Sequence, residues 1–221
     1  MSWVAVVPVK GNPGAKTRLG ARPDRARLAD AFALDTVGAL LAAPGIDRVI
    51  VVTGDGELAG RLAALGADIV RESRHDPVPP ERAAAPTDPL NTAIRQGLAV
   101  VRAEFPHANV AVLTGDLPAL TPAEVERALT LAAAQERSMV PDAAGTGTTT
   151  LLARAGTPIE PRFGVGSRAA HEAAGHIPLE LPASAGIRRD VDTTADLLAV
   201  ARLGLGPHTS PLVDGARGPG R

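Results

Sequence analysis

The sequence predicts an α/β fold, a single domain with a mostly parallel sheet and helices on both faces. Three observations predict it. Short apolar, β-prone runs alternate with longer segments whose apolar residues recur every three to four positions, the mark of parallel strands joined by right-handed helical crossovers. The chain has 221 residues, 45% of them hydrophobic, which is enough for one sizeable core. The run Val110–Thr114 is broken by Gly115-Asp116 and then Pro118, so a buried strand delivers a carboxylate to the carboxyl edge of the sheet. Open α/β sheets bind ligands at that edge.

The elements follow in order. Trp3–Val9 is a strand, and Val9–Leu19 is the loop after it. Ala26–Ala42 has helical spacing, Arg48–Thr53 is the next strand, and Glu57–Leu65 is a helix capped by Asp55 or Gly56. Asp68–Val70 is a short strand. Glu72–Pro89 is rich in Pro and charge and reads as a loop near the ligand. Leu90–Arg102 is a helix and Val110–Thr114 a strand. Pro122–Gln135 is a helix with a clear start: Thr121 as cap, Pro at the first position and Glu124 three residues after the cap. Ser138–Pro141 is a strand, Thr149 and Thr150 are strand residues, Ser167 opens a short helical run, and Thr194–Leu203 is the last helix, capped by Asp192 or Thr193. Residues 1–206 are expected to form the domain, and the Gly/Pro-rich stretch 207–221 a disordered tail.

Composition excludes several classes. The formal net charge is −1, so no global basic field favours nucleic acid. Cysteine is absent, which removes disulfides, thiolate metal sites and a Cys nucleophile. The start MSWVAVVPVKG has no basic leader or cleavage site, and no run approaches the roughly 18 apolar residues of a membrane span. A soluble, cytoplasmic protein without membrane partners is the expectation. The five histidines show no ligand spacing, and His171 is expected on the surface of its short helix.

The residues that carry chemistry fall in separate places. Only two lysines occur, Lys10 and Lys16, and both lie in the first loop. Gly11 and Gly14 there let the backbone approach a ligand, while Lys10, Lys16 and Arg18 add positive charge suited to a triphosphate. Ala15 stands where a P-loop needs Gly, so the loop is not of that type. Thr53, ending its strand, and Asn91, at a helix start, are candidate nucleoside contacts by position. Far downstream, Asp190 and Asp192 alternate on an extended piece and point to one side of it. With Asp116 they form an all-oxygen set that favours Mg²⁺, or Mn²⁺ as the alternative, bound together with phosphates.

The set KGNPGAKTRL, PLNTAI, LTGDLPAL, GTGTTTLL, PRFGVGSRAAH and DVDTTADL resembles the family of 2-phospho-L-lactate and phosphoenolpyruvate guanylyltransferases of coenzyme F-420 biosynthesis. The resemblance runs in order from about Val4 to Leu205. It implies a glycosyltransferase-A-like nucleotidyltransferase fold, with a Rossmann-like nucleotide half and a smaller acceptor half. It also implies that a phosphorylated three-carbon acid attacks the α-phosphorus of GTP and releases pyrophosphate. Asp116, Asp190 and Asp192 match the family's metal-holding aspartates, Lys16 its phosphate-contacting lysine, and Thr148, Gly164 and Ser167 its acceptor-carboxylate positions. Arg18 would help Lys16 steady the leaving phosphates. Two divalent ions fit this chemistry, because the two substrates are mutually repelling anions.

Phosphoenolpyruvate is the expected acceptor, on a composition typical of GC-rich actinobacterial genes; 2-phospholactate and 3-phosphoglycerate are the rivals. A homodimer is compatible with such a fold. Two other readings compete. A nucleotidyltransferase for a sugar phosphate or molybdopterin would carry a different Gly-rich first loop. A non-catalytic nucleotide-binding regulator would have no need of three carboxylates.

Overall fold

The computed structural model of the chain describes residues 2–10, 24–72 and 88–215. Its strands are β1 (Trp3–Val9), β2 (Ile46–Thr53), β3 (Asp68–Arg71), β4 (Asn109–Leu113), β5 (Arg137–Pro141), β6 (Thr148–Ala153) and β7 (Ile177–Pro178). The helices are α1 (Arg25–Leu41), α2 (Gly56–Leu65), α3 (Pro89–Glu104), α4 (Pro122–Ala132), α5 (Ser167–Ala173), α6 (Thr194–Val200) and α7 (Ser210–Asp214), with a 3-10 turn at Gly186–Arg188. The strands form one sheet in the order β3-β2-β1-β4-β6-β5-β7.

The sheet is mixed. β1 pairs parallel with β2 and β4, β2 with β3, and β5 with β7, whereas β6 runs antiparallel to β4 and β5. The reversal has a local cause. Between Pro141 and Thr148 the chain is too short for the dozen or more residues of a parallel crossover, so β5 and β6 form a hairpin. The Asp142 carboxylate closes it by accepting from Thr146 N–H at 2.9 Å and Gly147 N–H at 2.8 Å. β7 has no counterpart among the expected strands: two residues are too few to show a period.

Side-chain alternation along β1 divides the core. Ala5, Val7 and Val9 face a cluster with Leu34 and Val37 of α1, Leu58 of α2 and Leu129 of α4. Val4 and Val6 face the other way, onto Ile94, Leu98 and Val101 of α3. A strand buried on both faces must read as a continuous apolar run, as β1 does.

Helix starts match the sequence reading closely. Thr121 and Glu124 form a reciprocal capping box on α4, Asp55 accepts from the Glu57 and Leu58 amides of α2, and Thr193 caps α6 with Asp196. Asp192 is therefore not that cap. The expected disordered tail from Pro207 is different: through Gly215 it is described, and α7 folds back onto α1. Buried Asp35 of α1 accepts from the amides of His208 and Thr209, both at 2.9 Å, while Val213 joins Leu28 and Phe32 in a third cluster. Composition hides this, since the partner lies 173 residues away. Among the described residues no helix is long and apolar enough to cross a membrane.

Candidate functional site

The sheet order itself makes a crevice. From β1 the chain builds β2 and β3 on one side, then crosses to β4 on the other. Loops leaving β1 and β4 diverge at this switch point, above the carboxyl ends of parallel strands. A cleft of about 810 Å³ opens there, lined by Lys10 just after β1 and by Thr114, Gly115 and Asp116 just after β4. Its size suits a nucleotide-scale ligand. Gly115 is needed for close approach: a Cβ there would lie 3.1 Å from the Pro8 carbonyl oxygen.

A second segment brings the distant carboxylates to the same place. Thr149 Oγ1 of β6 donates to the Ile187 carbonyl at 2.6 Å. The Gly186 amide donates to Glu124 Oε1 of α4, also at 2.6 Å. The Arg188 guanidinium donates to the carbonyls of Pro141, Leu181 and Asp142 at 3.1, 2.9 and 2.8 Å. Three residues on, the Val191 amide donates to the Asp116 carbonyl at 3.1 Å, and the Val191 side chain is fully buried against α1 and α6. Residues flanking a buried one on an extended piece point the other way. Asp190 and Asp192 thus line the cleft with Asp116.

Polar groups from β6 and the loop before α5 line the same cleft. Thr148, at the start of β6, and Gly164 and Ser167 all line the cleft. Gly164 has φ +129° and Gly166 φ +71°, conformations that suit glycine and let the loop turn its backbone inward. The base of this loop is held from two sides. Asn91 of α3 is buried, and its amide grips Phe163 at both backbone atoms: Phe163 N–H to Oδ1 at 2.9 Å and Nδ2–H to the Phe163 carbonyl at 3.0 Å. His171 Nε2 accepts from the Arg162 amide at 3.0 Å, and its Nδ1 lies 2.9 Å from Thr148 Oγ1.

His171 is fully buried, which corrects the expectation of a surface residue. The short helix α5 packs its His171 face inward, edge-on to Phe163 and to His176. Burial, then the nearby charges of His176 and Arg162, lower its pKa to about 4, so the ring is neutral near pH 7. Burial also lowers the pKa of His176.

The cleft therefore brings together Lys10, Asp116, Thr148, Gly164, Ser167, Asp190 and Asp192 of the candidates. Thr53 and Asn91 do not line it. Thr53 is buried at the end of β2, where its hydroxyl accepts from the Asp55 amide at 3.2 Å. Gly11, Lys16 and Arg18 lie outside the described residues, as does most of the Glu72–Pro89 loop. The charged residues lining the described cleft are Lys10 and four aspartates, including Asp142. Such a surface repels a triphosphate unless cations intervene. No group of three His, Cys, Asp or Glu among the described residues is drawn together tightly enough to be a ready-made metal cage. The donor set itself, carboxylates beside an open cleft, is the kind a hard cation shares with water and phosphates. Arg188, Asp142 and His171 escape sequence reading because their partners are carbonyls, amides and a hydroxyl with no spacing signature.

Comparison with known proteins agrees with this geometry. The family described as guanylyl transferase CofC like matches residues 3–212. A phosphoenolpyruvate guanylyltransferase of Streptomyces coelicolor is 46% identical over 213 residues, covering 95% of each chain. The protein of that name from Streptomyces scabiei is 48% identical, again over 95% of each. The crystal structure of 4-diphosphocytidyl-2C-methyl-D-erythritol synthase aligns with a TM-score of 0.57 at 13% identity, covering 91% of this chain and 97% of that one, a likeness of fold alone. Cleft, sheet and sequence converge, and this chain belongs to the CofC-like family of guanylyl transferases.

Proposed function

We infer that the chain transfers the guanylyl group of GTP to phosphoenolpyruvate, giving enolpyruvyl-diphospho-guanosine and pyrophosphate in coenzyme F-420 biosynthesis. The observation that carries this reading is one cleft lined both by three carboxylates, Asp116, Asp190 and Asp192, and by Thr148, Gly164 and Ser167. Relatives at 46% and 48% identity bear the name phosphoenolpyruvate guanylyltransferase, which supports that acid over its rivals. The sheet order with a reversed β6 fits the glycosyltransferase-A type of nucleotidyltransferase.

An oxygen of the acceptor phosphate attacks the α-phosphorus of GTP. That P–O bond forms while the bond from the α-phosphorus to the bridging oxygen breaks, and pyrophosphate leaves with the electron pair. The nucleophile is already an oxyanion, so no general base is required. Asp116, Asp190 and Asp192 would hold Mg²⁺, which when bound neutralises phosphate charge and aligns the two anions. Thr148, the Gly164 backbone and Ser167 orient the acceptor carboxylate. Lys10, with Lys16 and Arg18 of the same loop, would counter the charge of the leaving phosphates. Catalysis rests on positioning and electrostatics.

The test is product analysis by mass after incubation with GTP, Mg²⁺ and, separately, phosphoenolpyruvate, 2-phospholactate and 3-phosphoglycerate. Guanylylated enolpyruvate with stoichiometric pyrophosphate is expected. Turnover confined to another acid would reassign the acceptor, and no guanylylated acid at all would overturn the reading.

A further inference from the structure

The described residues contain one buried polar relay that ends at the cleft wall. It starts at the Arg162 backbone, whose N–H can only donate, and does so to His171 Nε2 at 3.0 Å. That nitrogen must therefore be bare. A neutral imidazole has one N–H, so Nδ1 carries it and donates to Thr148 Oγ1, 2.9 Å away. The neutral ring state is the one burial enforces here, with Phe163 and His176 packed against its edges.

The consequence falls on Thr148. Its oxygen accepts from His171, so its single hydrogen is left to donate elsewhere. Met139 Sδ is 3.7 Å from Oγ1, but a thioether is a weak acceptor. Thr148 also lines the cleft, where an anionic acceptor would take that hydrogen far more strongly. With the opposite tautomer, Nδ1 would claim the hydroxyl hydrogen and Thr148 would face the cleft with lone pairs, which repel an anion.

We propose that His171 is a positioning residue for the acceptor acid: it fixes the Thr148 hydroxyl as a donor into the cleft and ties the base of the Gly164 loop to the same ring. The proposal rests on the assignment of Thr148 to the acceptor site. His171 touches no substrate atom; it acts through Thr148 and the Arg162 backbone.

A double-mutant cycle tests it, using T148V, H171F and the double variant with GTP and phosphoenolpyruvate. T148V is expected to raise KM for phosphoenolpyruvate about ten-fold or more, as loss of one hydrogen bond to a charged group does, with KM for GTP unchanged. H171F is expected to raise the same constant by a similar factor, and the double variant no further. If T148V raises it and H171F does not, or if the two factors multiply, His171 has no role through Thr148 and the proposal is overturned while the acceptor assignment stands. If T148V itself leaves KM for phosphoenolpyruvate unchanged, the acceptor assignment falls and the proposal with it. Should H171F not fold, ring-nitrogen NMR of the unaltered protein decides. A protonated Nδ1 with a bare Nε2 supports the relay, and a protonated Nε2 overturns it.

Discussion

Asp116 sits partly buried just after β4, where it lines the cleft. Replacing it by Asn keeps the shape and removes the charge. D116N is therefore expected to lower kcat by about 100-fold or more while the chain still folds cooperatively; pyrophosphate release and thermal melting measure the two. His171 makes the opposite kind of demand. Its pKa falls from 6.5 to about 4 on folding because it is buried, so between those values the unfolded chain binds more protons than the folded one. Unfolding free energy must then rise with pH across that window, its contribution complete above 6.5 and lost as pH drops to about 4. In H171F the decline of melting temperature from pH 6.5 to 4 is expected to be shallower than in the unaltered protein. Part of the slope remains, since the pKa of His176 shifts the same way. Identical slopes would contradict the burial argument. Asp116 was legible in sequence because a strand that ends in Gly-Asp is a local pattern. His171 was not, because the contacts that enclose it, the Phe163 and His176 rings folding back on it and Thr148 of β6 meeting its Nδ1, follow no helical or strand period.

At the scale of elements, local chemistry and distant packing separate cleanly. The α4 cap could be read from Thr121-Pro122 and Glu124, and T121A is expected to cost about 1 kcal/mol with kcat unchanged, as denaturant midpoints and turnover would show. Asp190 and Asp192 could be read as one alternating pair, but what anchors the segment from Gly186 to Asp192 could not, since it is held by groups from β5, β6, α4 and the loop after β4. Arg188 is its principal anchor, with three carbonyl acceptors. R188M is expected to lose about 2 kcal/mol of stability and also most turnover, because the aspartates two and four residues later lose their placement. A variant that loses stability but keeps full kcat would show that the anchor does not position Asp190 and Asp192. The reversal of β6 follows from a short link closed by Asp142, a constraint of length that a strand-by-strand reading passes over.

For the whole molecule, one topology does two jobs. Placing β1 between β2 and β4 buries it on both faces and opens the crevice where the loops part. The third cluster then locks the rim, as α7 returns to α1 through Asp35 and packs beside Val191. D35A is expected to cost about 2 kcal/mol, the scale of hydrogen bonds to a charged acceptor, and removal of the chain from Pro207 onward to lower the melting temperature rather than leave it unchanged. On the function proposed above, this architecture would gather Asp116, Asp190 and Asp192 around divalent cations that let two anions meet. Anomalous scattering from crystals grown with Mn²⁺ and GTP tests it most directly. Strong peaks within bonding distance of those three carboxylates are the expected result. Peaks elsewhere in the cleft, or none there, would contradict it.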